Sequence, residues 1–398
     1  MPPSQLALVN PRVLVWARQY GGWALEDVAR KLAIKVERLQ AWESGEKQPT
    51  VRQVQNLAKF LHRPLSIFFQ PNPPDLPPLA AEYRRLPDVT PGQESPLLRL
   101  ALRQMINRRQ AALDLFEELG DSVPVFRGVA HLSQTPTAVG QHLRQLLRLD
   151  DASQLAWASE WQAWRAWRGA VESAGVLVFQ FTKVELEEVR GLSLLDESLP
   201  VVGINSKERV PEAKVFTLLH EVVHLMLAAG HEELPAIQEK RTGPQWLAIE
   251  RFAESAASHA LLPETLLQEH ASPLAGNAGN WTLQEVRRLA RRFWVTPLAM
   301  ATRLRESGLM SWSRYHVWRS EWQDYVSTLP KRGGGFATPA EKTFNRYGRP
   351  FVQLVLEAMS VNRITSVDAA RYLDLKFQHF DQLRNIVNGP ASAGALSG

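Results

Sequence analysis

Apolar residues recur at three- and four-residue intervals from about residue 10 to residue 70, in short runs broken by turn residues. That spacing predicts a small all-helical unit. Residues 71–95, PNPPDLPPLAAEYRRLPDVTPGQES, are proline-rich and polar, as in a linker or an extended arm. The helical period returns from Leu97 to about Leu119, and a further helix is expected over 136–149. Trp157, Trp161 and Trp164 stand at i, i+4 and i+7 on one predicted helix face, and Trp167 widens the stripe. Such an aromatic stripe predicts core. Val176–Phe181 has strand character. Gly191–Leu195 and Pro200–Asn205 follow as two more expected strands, separated by the turn residues Asp196, Glu197 and Ser198. From about Pro211 the pattern is helical almost to the end, with KRGGGFAT at 331–338 as a glycine-rich linker before a last helical unit over 340–387. There is no solenoid-type repeat. The expected fold is mostly α with a small β-sheet.

Composition narrows the picture. At 398 residues the chain exceeds one compact core, and about two to four domains are expected. Hydrophobic content of 45% and charged content of 22% are ordinary for a soluble protein. No apolar run is long enough for a transmembrane helix, and the start MPPSQLALVN lacks the pattern of a secretory signal. Cysteine is absent. That excludes disulfides, thiolate metal sites and a cysteine nucleophile, and it fits a cytoplasmic location. The net charge of +5 is concentrated in residues 1–70 and again over about 287–349, where Arg287, Arg288, Arg291, Arg292, Arg303, Arg305, Lys331 and Arg332 lie. A skew of this kind permits nucleic-acid binding without requiring it.

The most specific chemistry lies in EAKVFTLLHEVVHLMLAAG, which contains His220-Glu221-Val222-Val223-His224. Side chains four apart on a helix lie one above the other, so the two imidazoles can bind one metal ion. Glu221, one residue after the first histidine, can reach a water at that ion. The flanking residues are apolar nearly all round, so three polar side chains in this helix need a reason. Zinc takes three protein ligands in catalytic sites and keeps one position open. WLAIERFAESAASHALLP at 246–263 supplies Glu250 on an otherwise small, apolar helix face, the natural third ligand. Glu254 shares that face and is expected to hydrogen-bond a ligand histidine from behind. His259, half a turn round from Glu250, is expected to be structural.

The pattern His220-Glu221-x-x-His224 with Glu250 and Ala253 resembles that of the gluzincins, zincin-like peptidases in which a glutamate on a second helix completes the site. LPVVGINSKE, FTLLHEVVHLML and ERFAESAASHALLP bring it closer to the ImmA/IrrE metallopeptidases. The resemblance is good over about residues 170–310. The chain departs from it at Glu254, where the family has Asn, and at Ala256, where it has Phe. The resemblance implies a Zn2+ endopeptidase that cleaves a specific transcriptional repressor in a stress or mobile-element response. Glu221 would be the general base, taking a proton from the attacking water and passing it to the leaving amine. The substrate is expected to add as a strand, with Pro200–Asn205 as the receiving edge.

Near the N-terminus, LEDVARKLAIKVERLQAWESG predicts a helix over Leu25–Leu32, a turn at Ala33–Lys35 and a second helix over Val36–Glu43. Thr50 is the expected N-cap of the next. With the ending Trp42-Glu43-Ser44-Gly45-Glu46-Lys47-Gln48-Pro49-Thr50, this resembles the Cro/repressor (XRE) helix-turn-helix. The resemblance implies DNA binding, with Lys35, Glu37, Arg38 and Gln40 as the side chains facing the major groove. Such modules also serve as protein-docking domains. The expected division is a helix-turn-helix at 10–70, the proline-rich linker at 71–95, a zincin-like peptidase domain at 96–310, a helix and glycine-rich linker at 311–338, and a C-terminal helical domain at 339–390. A competing reading is a non-proteolytic, antitoxin-like DNA-binding regulator that keeps the zinc fold as scaffold.

Overall fold

The computed structural model describes residues 5–75, 94–195, 198–232, 244–271, 280–329 and 337–389. The chain forms two compact units, one running from the N-terminus to Gln104 and one from Met105 to the C-terminal helices. The division falls within a single helix, α5 (Pro96–Leu119), numbered in chain order.

In the first unit, α1 (Pro11–Tyr20), α2 (Leu25–Leu32), α3 (Val36–Glu43) and α4 (Val51–Leu61) surround a core of Val13, Leu14, Val28, Leu39, Trp42, Leu57 and Phe68. Asn10 caps α1. Thr50 caps α4 in a reciprocal box with Gln53, which satisfies backbone N–H groups that a helix start leaves open. Ala33 ends α2 in the left-handed conformation at φ 53° and turns the chain into α3. Arg18 Nε and Nη2 donate to the two carboxylate oxygens of Glu43 at 2.7 and 2.8 Å, tying α1 to α3.

The second unit is built on a three-stranded sheet of β1 (Leu177–Phe181), β2 (Gly191–Leu194) and β3 (Val201–Asn205), in the order β1-β3-β2. β1 runs parallel to β3, with Leu177 opposite Val201, and β2 runs antiparallel, with Gly191 opposite Ile204. All three strands are buried along their length. The helices before the sheet are α6 (Pro136–Leu146), α7 (Asp151–Ala156) and α8 (Glu160–Ser173). After it come α9 (Pro211–Ala229), α10 (Pro244–Leu261), α11 (Glu264–Ala271), α12 (Leu283–Phe293), α13 (Pro297–Glu306) and α14 (Trp312–Ser327). The last helices are α15 (Pro339–Ser360), α16 (Ser366–Tyr372) and α17 (Phe380–Asn388).

The tryptophan stripe is interrupted. Ser159 caps α8 by accepting from Gln162 N, so the helix begins after Trp157. Trp157 still packs edge-on against Trp167 at 6.0 Å. Trp164 and Trp167 are core, whereas Trp161 is 41% exposed. The C-terminal helices pack in this same unit: Tyr347 and Phe351 of α15 meet Phe179 of β1 at 6.4 and 5.6 Å. Gly348 kinks α15 at φ 76°, and a Cβ there would lie 3.1 Å from Val178 O. Arg168 donates to that same carbonyl of β1. The expected linkers at 71–95 and 331–338 fall mostly outside the described residues.

Candidate metal centre

α9 begins with Pro211 at its first turn and Glu212 beside the helix N-terminus, both favourable there. Its apolar residues are buried all round, from Val215 and Leu218 to Leu225, Met226 and Leu227. His224 is fully buried and the His220 side chain is 16% exposed. One helical turn brings their Nε2 atoms to 3.0 Å. From α10, Glu250 places Oε2 3.3 Å from His220 Nε2 and Oε1 3.3 Å from His224 Nε2. Ligand atoms about 2.0–2.1 Å from a common centre stand about 3.3 Å apart in a tetrahedron. These spacings, and a donor set of two imidazoles and one carboxylate, fit zinc. Among the described residues, this is the group that can hold a metal ion.

Aromatic rings hold the imidazoles in place. Phe216 stacks on His220 with ring centroids 6.3 Å apart, and Trp246 stacks on His224 at 6.3 Å. One aromatic ring against each imidazole limits its rotation, and Nε2 of both histidines faces Glu250. Glu221 is nearly buried at 6% exposure and lies against the start of β2. A Cβ on Gly191 would sit 3.0 Å from Glu221 Oε1 and 2.4 Å from Thr217 Cγ2. The absent side chain makes room for the carboxylate.

Two expectations meet a different arrangement. β3, expected to receive a substrate strand, is the central strand and is bonded on both sides. Sequence order cannot show this, because β2 folds back outside β3. Glu254 is exposed and makes no hydrogen bond to His220 or His224; it lines a neighbouring cleft instead. Four residues turn a helix by about 40° beyond a full circle and advance it about 6 Å, which carries Glu254 past the ligand histidines. His259 lies on the far side, where Thr137 Oγ1 is 3.2 Å from its Nε2. Burial, assisted by the nearby Arg303, pushes its pKa down to about 4.

The cleft beside the metal group has a volume of about 890 Å³. Phe216 and Thr217 of α9, Arg251 and Glu254 of α10, and Tyr315 and Arg319 of α14 are among its walls. Neither the cleft nor the spacer role of Gly191 was visible in the sequence, because both arise where distant elements meet. In the first unit, Lys35, Glu37, Arg38 and Gln40 are all exposed around the first turns of α3. Arg38 leans over Trp42 at 5.9 Å.

Residues 171–305 match the IrrE N-terminal-like domain, the Peptidase_M78 family. Residues 14–68 match a helix-turn-helix family. The chain therefore carries an IrrE N-terminal-like peptidase domain behind an XRE-type helix-turn-helix domain. No curated protein matches it.

Proposed function

We propose that the chain is a zinc-dependent endopeptidase with His220, His224 and Glu250 as metal ligands and Glu221 as general base. The observation that carries this reading is the convergence of three donor atoms, two from α9 and one from α10, all within 4.8 Å of one another, beside Glu221 of α9. Zinc bound there supplies a Lewis acid that polarises a peptide carbonyl and makes water acidic near neutral pH. Glu221 takes the proton from the attacking water and returns it to the leaving nitrogen. Its near burial keeps bulk water from competing for that proton. The substrate backbone approaches at Gly191, the start of β2, beside Glu221.

The natural substrate in this reading is a specific transcriptional repressor. The attached helix-turn-helix favours regulation over general digestion. It binds DNA through Lys35, Arg38 and Gln40, which donate to base edges, with Glu37 beside them. The decisive experiment pairs metal analysis with cleavage of a repressor encoded beside the gene. Glu221→Gln should keep stoichiometric zinc and lose cleavage; retained cleavage would end the assignment. Gel shifts with Arg38→Ala plus Gln40→Ala test the DNA surface, and an unchanged shift removes it.

A further inference from the structure

The cleft beside the metal group has a charge pattern that its own salt bridges do not cancel. Among the described residues lining it, Arg190, Arg251, Arg305 and Arg319 outnumber Glu254 and Glu306. Two of these arginines are engaged. Arg190 donates to Glu208 at 2.8 Å. Arg305 pairs with Glu306 at 3.1 Å and lies over the rings of Trp312 and Tyr315 at 4.4 and 4.9 Å. The other two are not: Arg251 on α10 and Arg319 on α14 are exposed and have no ion-pair partner among the described residues. They stand on different helices and line the same cavity.

The cleft is also placed where a bound peptide would have to send side chains. Phe216, one of its walls, stacks on the ligand His220. Arg190, another, immediately precedes Gly191 at the start of β2. An extended peptide passing Gly191 turns every second side chain to one face, since side chains alternate along an extended chain. The volume of about 890 Å³ admits more than one side chain. A guanidinium offers paired donors that match a carboxylate.

We infer that this cleft is a specificity subsite for an acidic peptide segment, with Arg251 and Arg319 as the groups that recognise substrate carboxylates next to the scissile bond. Arg190 and Arg305 are already paired with carboxylates, while Arg251 and Arg319 remain available for a ligand and outnumber Glu254, the remaining carboxylate of the lining. The inference rests on the endopeptidase reading for what the peptide is doing there, but peptide binding can be measured without turnover.

The test uses the full chain and fluorescent twelve-residue peptides with both ends blocked, identical except that one carries Asp and Glu where the other carries Asn and Gln. Anisotropy should show the acidic peptide binding at least fivefold more tightly at low salt, with the preference shrinking as ionic strength rises. Arg251→Gln plus Arg319→Gln should abolish the preference. Arg251→Glu plus Arg319→Glu should invert it towards a Lys-containing peptide. Both arginines are exposed, so melting curves of the variants should match the parent and exclude misfolding. Equal affinity for the acidic and amide peptides overturns the inference, as does an acidic preference that survives charge reversal and so belongs to another surface. Loss of zinc or absence of cleavage would sink the endopeptidase reading instead, and leaves this binding comparison standing.

Discussion

Gly191 has no side chain, and Glu221 and Thr217 occupy the space that one would take. A methyl group there would approach Thr217 Cγ2 to 2.4 Å and Glu221 Cγ to 3.0 Å. Gly191→Ala should therefore cost about 1–3 kcal/mol of stability, the usual range for overpacking. In the proposed mechanism it should lower kcat far more than zinc content, because the ligands sit elsewhere. Denaturant titration and metal analysis on one sample check both halves. Glu250 contributes the only carboxylate of the three-residue group. Glu250→Ala should weaken zinc binding strongly, and zinc at about 1,000 times Kd should no longer add the roughly 4 kcal/mol expected for the parent. His259 makes a separate prediction. Its pKa in the folded chain is about 4, below the ordinary histidine value of 6.5. The unfolded chain takes up this proton first as pH falls. The contribution of neutral His259 is full above about pH 6.5 and is lost as pH drops towards 4. Thermal melting of His259→Gln should accordingly fall less steeply than the parent over that window; parallel curves would contradict the burial argument.

Between elements, α6 packs tightly on α10, the helix that carries Glu250. Gly140 of α6 has no room for a Cβ: one would lie 2.8 Å from Ala256 O, Ala260 N and His259 Cβ. Ala253, Ala256, Ala257 and Ala260 are all fully buried on α10. Gly140→Ala should cost about 1–3 kcal/mol and, by displacing α10, also lower zinc affinity. A stable variant with unchanged zinc binding would show that α6 does not set the position of Glu250. In the first unit, Arg18 and Glu43 are 13% and 10% exposed and form a bidentate pair. Arg18→Ala leaves a poorly hydrated carboxylate behind and should cost about 1.5–3 kcal/mol, read by urea unfolding. This pair gives the glutamate of the Trp42-Glu43 sequence a structural role.

At the scale of the whole molecule, the two units have separate cores. One is centred on Trp42 and Phe68, the other on Trp164, Trp167 and the apolar residues of α9. Zinc that binds the native second unit should raise the melting temperature of that unit alone. Calorimetry with and without a chelator should show one zinc-sensitive transition and one that is indifferent. A single transition moving as a whole would mean that α5 couples the two cores into one cooperative block.

Local order was determined by the sequence alone. The spacing of apolar residues, the Thr50 cap and the turn at Ala33 define the helices of the first unit, because these effects act between residues a few positions apart. The same locality puts His220 and His224 on one face of α9, and small apolar neighbours singled out Glu250. Tertiary structure decided the rest. β3 is central because β2 returns to pair outside it, a choice that depends on which edges remain open once β1, α8 and α15 have packed. Glu254 lines the cleft and not the ligand histidines because it stands one helical turn and about 40° beyond Glu250, and only the packing of α10 on α9 shows which of the two carboxylates meets the histidines. Trp157 drops out of the tryptophan helix because Ser159 offers a better start, then rejoins the core through Trp167. Gly191 has its meaning only when β2 meets α9. Arg251 and Arg319 become a pair only when α10 and α14 line one cavity. Contacts between residues far apart in the chain depend on which packing excludes the others, and no local spacing records that competition.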